Sequence, residues 1–219
     1  MSLILKLHLK KPFWRFWTLL MILGFGLLFI IGNLEFSILV NSWCNDQLDF
    51  FFQNLTYLGD GILVFLIGLT LLFYNKKLAL LTLTSLTFTT ILVQLLKRVI
   101  FKDHLRPSKV FQNLIQDGSW HTIEELNLYE KFSFPSGHTA MIFCICITLS
   151  IYIKKNNWAL FYTCIAFLVG FSRIYLSQHF LTDVLFGAII GSLIALLTCT
   201  YLEKLLSKIP FINAKDKNG

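Results

Sequence analysis

This sequence has little charge. Only 14% of its 219 residues are charged, against 56% that are hydrophobic. A soluble domain of this size does not need so much apolar surface, so composition argues against an ordinary water-soluble globule. Cysteine lacks any useful pattern. No Cys-x-x-Cys pair occurs, and Cys144, Cys146, Cys164 and Cys199 all lie in apolar runs. That argues against a disulfide framework and against a cysteine-based metal finger. No Gly/Ser linker divides the chain and no internal repeat is evident, so residues 1–219 read as one domain.

What is present is a series of apolar runs separated by short charged clusters. A helix needs ~20 mostly apolar residues to cross a bilayer. The runs predict an all-α, polytopic membrane protein with six transmembrane helices, at about 16–40, 57–75, 78–97, 137–153, 158–173 and 183–202. The second is the weakest, because Ile62 to Tyr74 is short and must draw on "TYLGDG" before it. Residues 43–56, "WCNDQLDFFFQNLT", mix acids with aromatics and read as a segment lying along the interface. Lys6, Lys10, Lys11 and Arg15 lead into the first run, which reads as an uncleaved span and not as a signal peptide.

The short turns "NKK" and "IKKNN" and both ends of the chain are basic, whereas residues 41–56 hold no Lys or Arg. By the positive-inside rule both termini face the cytoplasm, in a multi-pass protein of the cell (inner) membrane. The net charge of +7 then reflects topology and calls for no nucleic acid. The long polar loop 98–136 falls on the outer, periplasmic or exterior side, and its length marks it for function.

Three outer stretches carry chemistry. In "SRIYLSQHFLTD", His179 and Asp183 are four residues apart. On a helix they would share a face, the carboxylate fixing one imidazole nitrogen and leaving the other as nucleophile or base. Arg173 precedes them with a planar donor fork suited to phosphate oxygens. In "FSFPSGHTAM", Ser136 suits a helix N-cap, Gly137 admits an anion close to the backbone, and His138 stands beside it. A helix start carries unpaired N–H groups and partial positive charge, which suits an oxyanion. In "KRVIFKDHLRP", Lys97, Arg98, Lys102 and Arg106 supply cations before Pro107. Capping and snorkelling would explain each stretch alone; the three on one side of the membrane point to a phosphate site.

Together these stretches resemble the type 2 phosphatidic acid phosphatase (PAP2) family, whose signature runs K-x6-RP, PSGH, then SR-x5-H-x3-D. "PSGH" matches in full, and so do Ser172, Arg173, His179 and Asp183 at their spacing. The first motif departs: eight residues separate Lys97 from Arg106, and the family's lysine position falls on Val99. Lys97 would serve if two residues loop out near "FKDH"; Arg98 and Lys102 are the alternatives. The resemblance implies that His179 attacks phosphorus to form a phosphohistidine, that Asp183 orients it, and that His138 protonates the leaving group and then activates water. Lys97, Arg106, Arg173, Ser136 and Gly137 would hold the phosphoryl oxygens. It implies no metal and no cofactor.

The expected activity is therefore hydrolysis of a membrane lipid phosphate or diphosphate at the outer membrane–water boundary. A lipid phosphotransferase could use the same site. A transporter would favour charges near the bilayer midplane, and the spans hold almost none. His104 and His121 read as solvated loop histidines, His8 as interfacial, and Trp120 and Tyr129 as part of the site entrance.

Overall fold

A computed structural model describes residues 12–123, 126–152 and 156–206. The basic residues Lys6, Lys10, Lys11, Lys154, Lys155, Lys208, Lys215 and Lys217, and His8, on which the topology reading partly rests, lie outside the described residues. Among the described residues the chain is helical with no strand. The helices are α1 (Pro12–Ile30), α2 (Asn33–Asn41), α3 (Asp46–Leu55), α4 (Gly61–Thr70), α5 (Lys76–Leu95), α6 (Pro107–Val110), α7 (Gln112–Gln116), α8 (Gly137–Tyr152), α9 (Asn156–Tyr175) and α10 (Leu181–Leu206).

Among the described residues four stretches are long and apolar enough to cross a bilayer: Phe13–Ile30, Lys76–Ile100, Trp158–Tyr175 and Leu181–Leu206. The pair Asp46–Gly59 and Gly61–Phe73, bent by 55°, makes a fifth if it counts as one span. The protein is thus a multi-pass helical membrane protein, with four or five such spans among the described residues. α8 is apolar but shorter, at 16 residues. It is buried almost all round and packs on α5, α9 and α10, most extensively on α10. A helix apolar on every face belongs at the centre of a bundle.

Two glycines set how closely α8 and α10 approach. A Cβ at Gly187 would stand 2.6 Å from the Ser136 carbonyl oxygen, and one at Gly191 would collide with the Ala140 backbone. Small residues four apart let helix backbones meet in a membrane. Here they press the start of α8, with Ser136 and His138, against the start of α10, with Asp183.

The first span differs from its expected 16–40 run. It breaks at Gly32, whose φ of 91° separates the end of α1 from the start of α2. Asn33, just past the break, accepts from the Thr182 amide at 3.1 Å and donates to its hydroxyl. The break therefore anchors the first turn of α10.

The loop after α5 is more ordered than its polar composition implied. The helix carries on past Leu95 through a π turn, with the Phe101 amide donating to the Leu96 carbonyl at 2.8 Å. α6 and α7 follow. Trp120 stacks on Phe111 with ring centroids 4.1 Å apart, and with Phe180 they form a small separate core. Trp120 is buried and donates to Ser177 Oγ at 3.0 Å, so it supports the loop and does not line an entrance. His121 and Asp49 are in contact, so 41–56 and the long loop lie at one end of the bundle.

Candidate active site

A cavity of ≈ 250 Å³ opens at that end. Lys97, Arg106, Gly137, His138, Arg173 and His179 all line it, with Tyr129 and Gln178 at its wall. Residues from four separate stretches converge, and each arrives by a local device.

His179 sits in the connection between α9 and α10. The Arg173 carbonyl accepts from the amides of both Gln178 and His179 at 3.0 Å, which folds the chain back sharply. Ser177 takes a left-handed φ of 54° at the turn. Arg173 and His179 thereby face one space. His179 is not helical, so the expected pairing of two residues on one helix face does not hold. Instead Asp183 lies in the first turn of α10, and its Oδ2 caps the helix by accepting from the Phe180 amide at 3.0 Å. The same oxygen lies 3.3 Å from His179 Nδ1. With Nδ1 turned to the carboxylate, Nε2 is the nitrogen left for the cavity. Burial, with Arg106, Lys97, Arg173 and His138 close by, holds His179 well below its ordinary pKa, so its imidazole is neutral near pH 7.

Lys97 and Arg106 converge on the segment before "PSGH". Phe132 has a φ of 58°, a strained conformation for a bulky residue. Its carbonyl accepts from Lys97 Nζ at 2.8 Å and faces Arg106 Nη2 at 3.5 Å. Arg106 donates further to the carbonyls of Lys131 and Gln178 and to Gln178 Oε1, all within 3.1 Å, and stands over the Tyr129 ring. Its guanidinium ties the loop to the α9–α10 connection while still bordering the cavity. Arg98 points elsewhere: it is exposed and bonded to Gln94 on its own helix. Val99 is 68% exposed. The π turn places Lys97 inward despite its non-standard spacing from Arg106, and the exposed Lys102 stays out of the cavity lining.

Arg173 is buried, with Nη1 donating to Thr56 Oγ1 at 2.7 Å. Its Nε is buried with no partner among the described residues. A buried guanidinium with a spare donor at a cavity is suited to an oxyanion.

His138 is the second residue of α8, against the turn at Gly59, where a Cβ would stand 3.0 Å from the His138 carbonyl oxygen. Gly137 meets nothing closer than Val93 at 3.8 Å, so its missing side chain leaves cavity space at the helix start. Ser136 differs from expectation. It is fully buried and does not line the cavity; its Oγ accepts from the Thr139 hydroxyl at 2.8 Å and faces the Thr139 amide at 3.4 Å. Its place is that of the helix cap.

Three participants carried no signal of their own in the sequence. Ser133 Oγ donates to Asp183 Oδ2, Gln178 bridges Arg106 to the Asn127 carbonyl, and Thr56 holds Arg173. Each lies far along the chain from its partner, so no local spacing could reveal it.

A model described as the PAP2 superfamily matches residues 78–206, which contain every cavity residue named above except Gly59. Phosphatidylglycerophosphatase B of Bacillus subtilis (strain 168) is 30% identical over 177 residues, covering 74% of this chain and 77% of that protein. The crystal structure of Aquifex aeolicus LpxE shares the fold with a TM-score of 0.65 and 32% identity, over 77% of this chain and 95% of that one. That of a transmembrane PAP2-type phosphatidylglycerolphosphate phosphatase from Bacillus subtilis gives 0.62 and 25%, over 85% and 94%. On the extent of the matched family model and of the Bacillus relative, the chain belongs to the PAP2 superfamily.

Proposed function

We propose that this protein is a membrane phosphatase that hydrolyses a lipid phosphate monoester or diphosphate through a phosphohistidine intermediate. The observation that carries the reading is the cavity itself: three cations, one neutral imidazole backed by a carboxylate, and a second imidazole at a helix start, all around ≈ 250 Å³. The names of the relatives, a phosphatidylglycerophosphatase and LpxE, support a lipid substrate. So does a second, mostly apolar groove of ≈ 600 Å³ between α4 and α5, lined by Ile62, Phe65, Leu66 and Ile91. It shares Gly61, Thr90 and Met141 with the site cavity, so a phosphate in one can carry its tail in the other.

In the first step the His179 Nε2 lone pair attacks phosphorus and the bond from phosphorus to the leaving oxygen breaks. His138, entering as imidazolium, gives that oxygen its proton. The phosphate dianion supplies the negative charge that a protonated His138 needs among three cations. The phospho-imidazolium on His179 keeps its Nδ1 proton toward Asp183, which offsets the new positive charge. In the second step neutral His138 takes a proton from water, the resulting hydroxide attacks phosphorus, and the P–N bond breaks to return His179 to its neutral state. Lys97, Arg106, Arg173 and the N–H groups at the start of α8 stabilise the charge that gathers on the equatorial oxygens. Ser136 serves by orienting that helix start.

We further place α8 as a sixth span, with the cavity on the outer, periplasmic or exterior side of the cell membrane and both termini in the cytoplasm. The basic turns "NKK" and "IKKNN" support that orientation.

The deciding experiment is phosphate release by the purified protein in detergent. The panel is undecaprenyl diphosphate, phosphatidylglycerophosphate, phosphatidate and lipid A phosphates. The reading expects turnover of at least one, lost in His179→Ala, and ³²P retained on wild-type protein after acid-free quenching. Full activity in His179→Ala would exclude the mechanism. Transfer of label to an added lipid acceptor in preference to water would make the enzyme a phosphotransferase.

A further inference from the structure

Cys44, Asp49 and His121 come together at the end of the bundle, outside the catalytic cavity. Their donor atoms, the thiol sulfur, a carboxylate oxygen and a ring nitrogen, all lie within 4.8 Å of one another. None of the three lines the catalytic cavity. They come from the turn after α2, from α3 and from the long loop, so the fold assembles them across 77 residues or so of chain.

The cluster is held in place by contacts that aim its donors. Asn41 clamps the loop by pairing its side chain with both backbone groups of His121: the His121 amide donates to Oδ1 at 3.0 Å, and Nδ2 donates to the His121 carbonyl at 2.9 Å. Tyr175 donates its hydroxyl to Asp49 Oδ1 at 2.6 Å. That leaves Oδ2 for His121 Nε2, also at 2.6 Å. Ligating carboxylates are themselves hydrogen-bonded by outer-shell groups; here Tyr175 holds one oxygen of Asp49 while the other faces His121 Nε2, so two candidate ligand atoms stand side by side.

We propose that Cys44, Asp49 and His121 form a structural site for a borderline-soft divalent metal ion, of the zinc class, distinct from the phosphate cavity. One thiolate, one imidazole and one carboxylate suit Zn(II) and Co(II); Mg(II) and Ca(II) want oxygen donors alone. Zinc bonds of ~2.0–2.3 Å in a tetrahedron set donors about 3.3–3.8 Å apart. Reaching that from the present spacing takes side-chain rotation: Asp49 and His121 part slightly and Cys44 turns inward. On binding, Cys44 gives its thiol proton to solvent, and His121 keeps its single proton on Nδ1 so that Nε2 is the ligand. Water takes the fourth position beside the half-exposed His121 ring. The ion staples the long loop to α3 and, through Tyr175, to the end of α9 that carries Arg173.

The test is Co(II) titration of tag-free, full-length protein in detergent, paired with Zn(II) thermal shift. Wild type should bind one equivalent of Co(II) with a near-ultraviolet thiolate-to-cobalt band, and Zn(II) should raise its unfolding midpoint. Cys44→Ser should lose the band, and His121→Ala should weaken binding at least ~10-fold. Neither variant should gain stability from Zn(II). Metal-free midpoints of both variants report folding, and His121→Gln replaces His121→Ala if the latter is unstable. A missing band in wild type, a band that survives in Cys44→Ser, or an equal Zn(II) shift in wild type and both variants would overturn the assignment. Because the readouts are spectroscopic and thermal, they stand whatever lipid the enzyme hydrolyses.

Discussion

Ser133 Oγ donates a 2.5 Å hydrogen bond to Asp183 Oδ2, the same oxygen that faces His179 Nδ1 and the Phe180 amide. Ser133 is buried and does not line the cavity, so in the proposed reaction it would act through Asp183. Removing its hydroxyl leaves the carboxylate short of one donor and free to rotate. A charge-assisted hydrogen bond is worth ~1.5–3 kcal/mol, so Ser133→Ala should lower kcat by roughly tenfold to a hundredfold. KM should hardly move, since no phosphate contact is lost. Ser133→Thr, which keeps the hydroxyl, should restore part of the rate. A change confined to KM would show that Ser133 touches substrate directly.

The inward turn of Lys97 makes a sharp comparison with its neighbour. Lys97→Ala should reduce kcat/KM by about 10²-fold, the scale for removing one preorganised donor from a charged transition state. Arg98→Ala should lie within about twofold of wild type, since exposed charges away from a site contribute ~0–1 kcal/mol. Measured side by side on one lipid phosphate, the reverse order would assign the cation role to Arg98.

Much of this was legible because the chemistry sits in local motifs. "PSGH" and "SRIYLSQH" each bring their residues together through one turn, so spacing alone was informative. The first motif was legible only as Lys97 with Arg98 and Lys102 as alternatives, because Lys97 reaches the cavity through a π turn that no spacing rule encodes. The break at Gly32 has a signal in Asn33 and Glu35 just after it, but they sit inside a run otherwise apolar enough to read as one span. Gly187 and Gly191 form a small-x-x-x-small pair that the sequence reading did not single out, and only the docked α8 backbone shows what they are for. Ser133, Gln178 and Thr56 act across long sequence separations, where tertiary packing alone decides the partner.

Those glycines give a stability prediction with an internal control. Gly191→Val should push α8 from α10 and lower the unfolding midpoint strongly, because overpacking a tight contact costs ~1–3 kcal/mol or more. Gly187→Val should do likewise. Gly26→Ala should be close to neutral, since a Cβ there meets nothing within 4 Å. Equal midpoints for all three would mean the α8–α10 approach is looser than described.

The depressed His179 pKa has a direction that stability can report. The unfolded chain takes up a proton on His179 near its ordinary pKa of 6.5, and the folded chain does not. The unfolded state therefore binds more protons below that pH, and folding stability falls as pH drops through 6.5 while staying unaffected above it. Midpoints for wild type and His179→Asn, followed from pH 8 to pH 5, should diverge, with wild type losing more. For the same reason the proposed nucleophile stays neutral through this window, so loss of activity on the acid side should not track a pKa of 6.5 for His179. Identical slopes for the two proteins would remove His179 as the source.

Under the proposed function, the groove between α4 and α5 separates tail recognition from chemistry. Ile91 and Phe65 line it but do not border the cavity, whereas Thr90 and Met141 border both. Filling the groove with Ile91→Trp should therefore obstruct a lipid tail and leave the phosphate cations untouched. The expected result is a raised KM for a long-chain lipid phosphate, on the order of tenfold for ~1.4 kcal/mol of lost apolar contact, with kcat little changed. Hydrolysis of p-nitrophenyl phosphate, which has no tail, should proceed at the wild-type rate. The paired assay distinguishes the causes of failure. A loss on both substrates would report damage to the cavity or the fold, and unchanged kinetics on the lipid would place the tail elsewhere on the bundle.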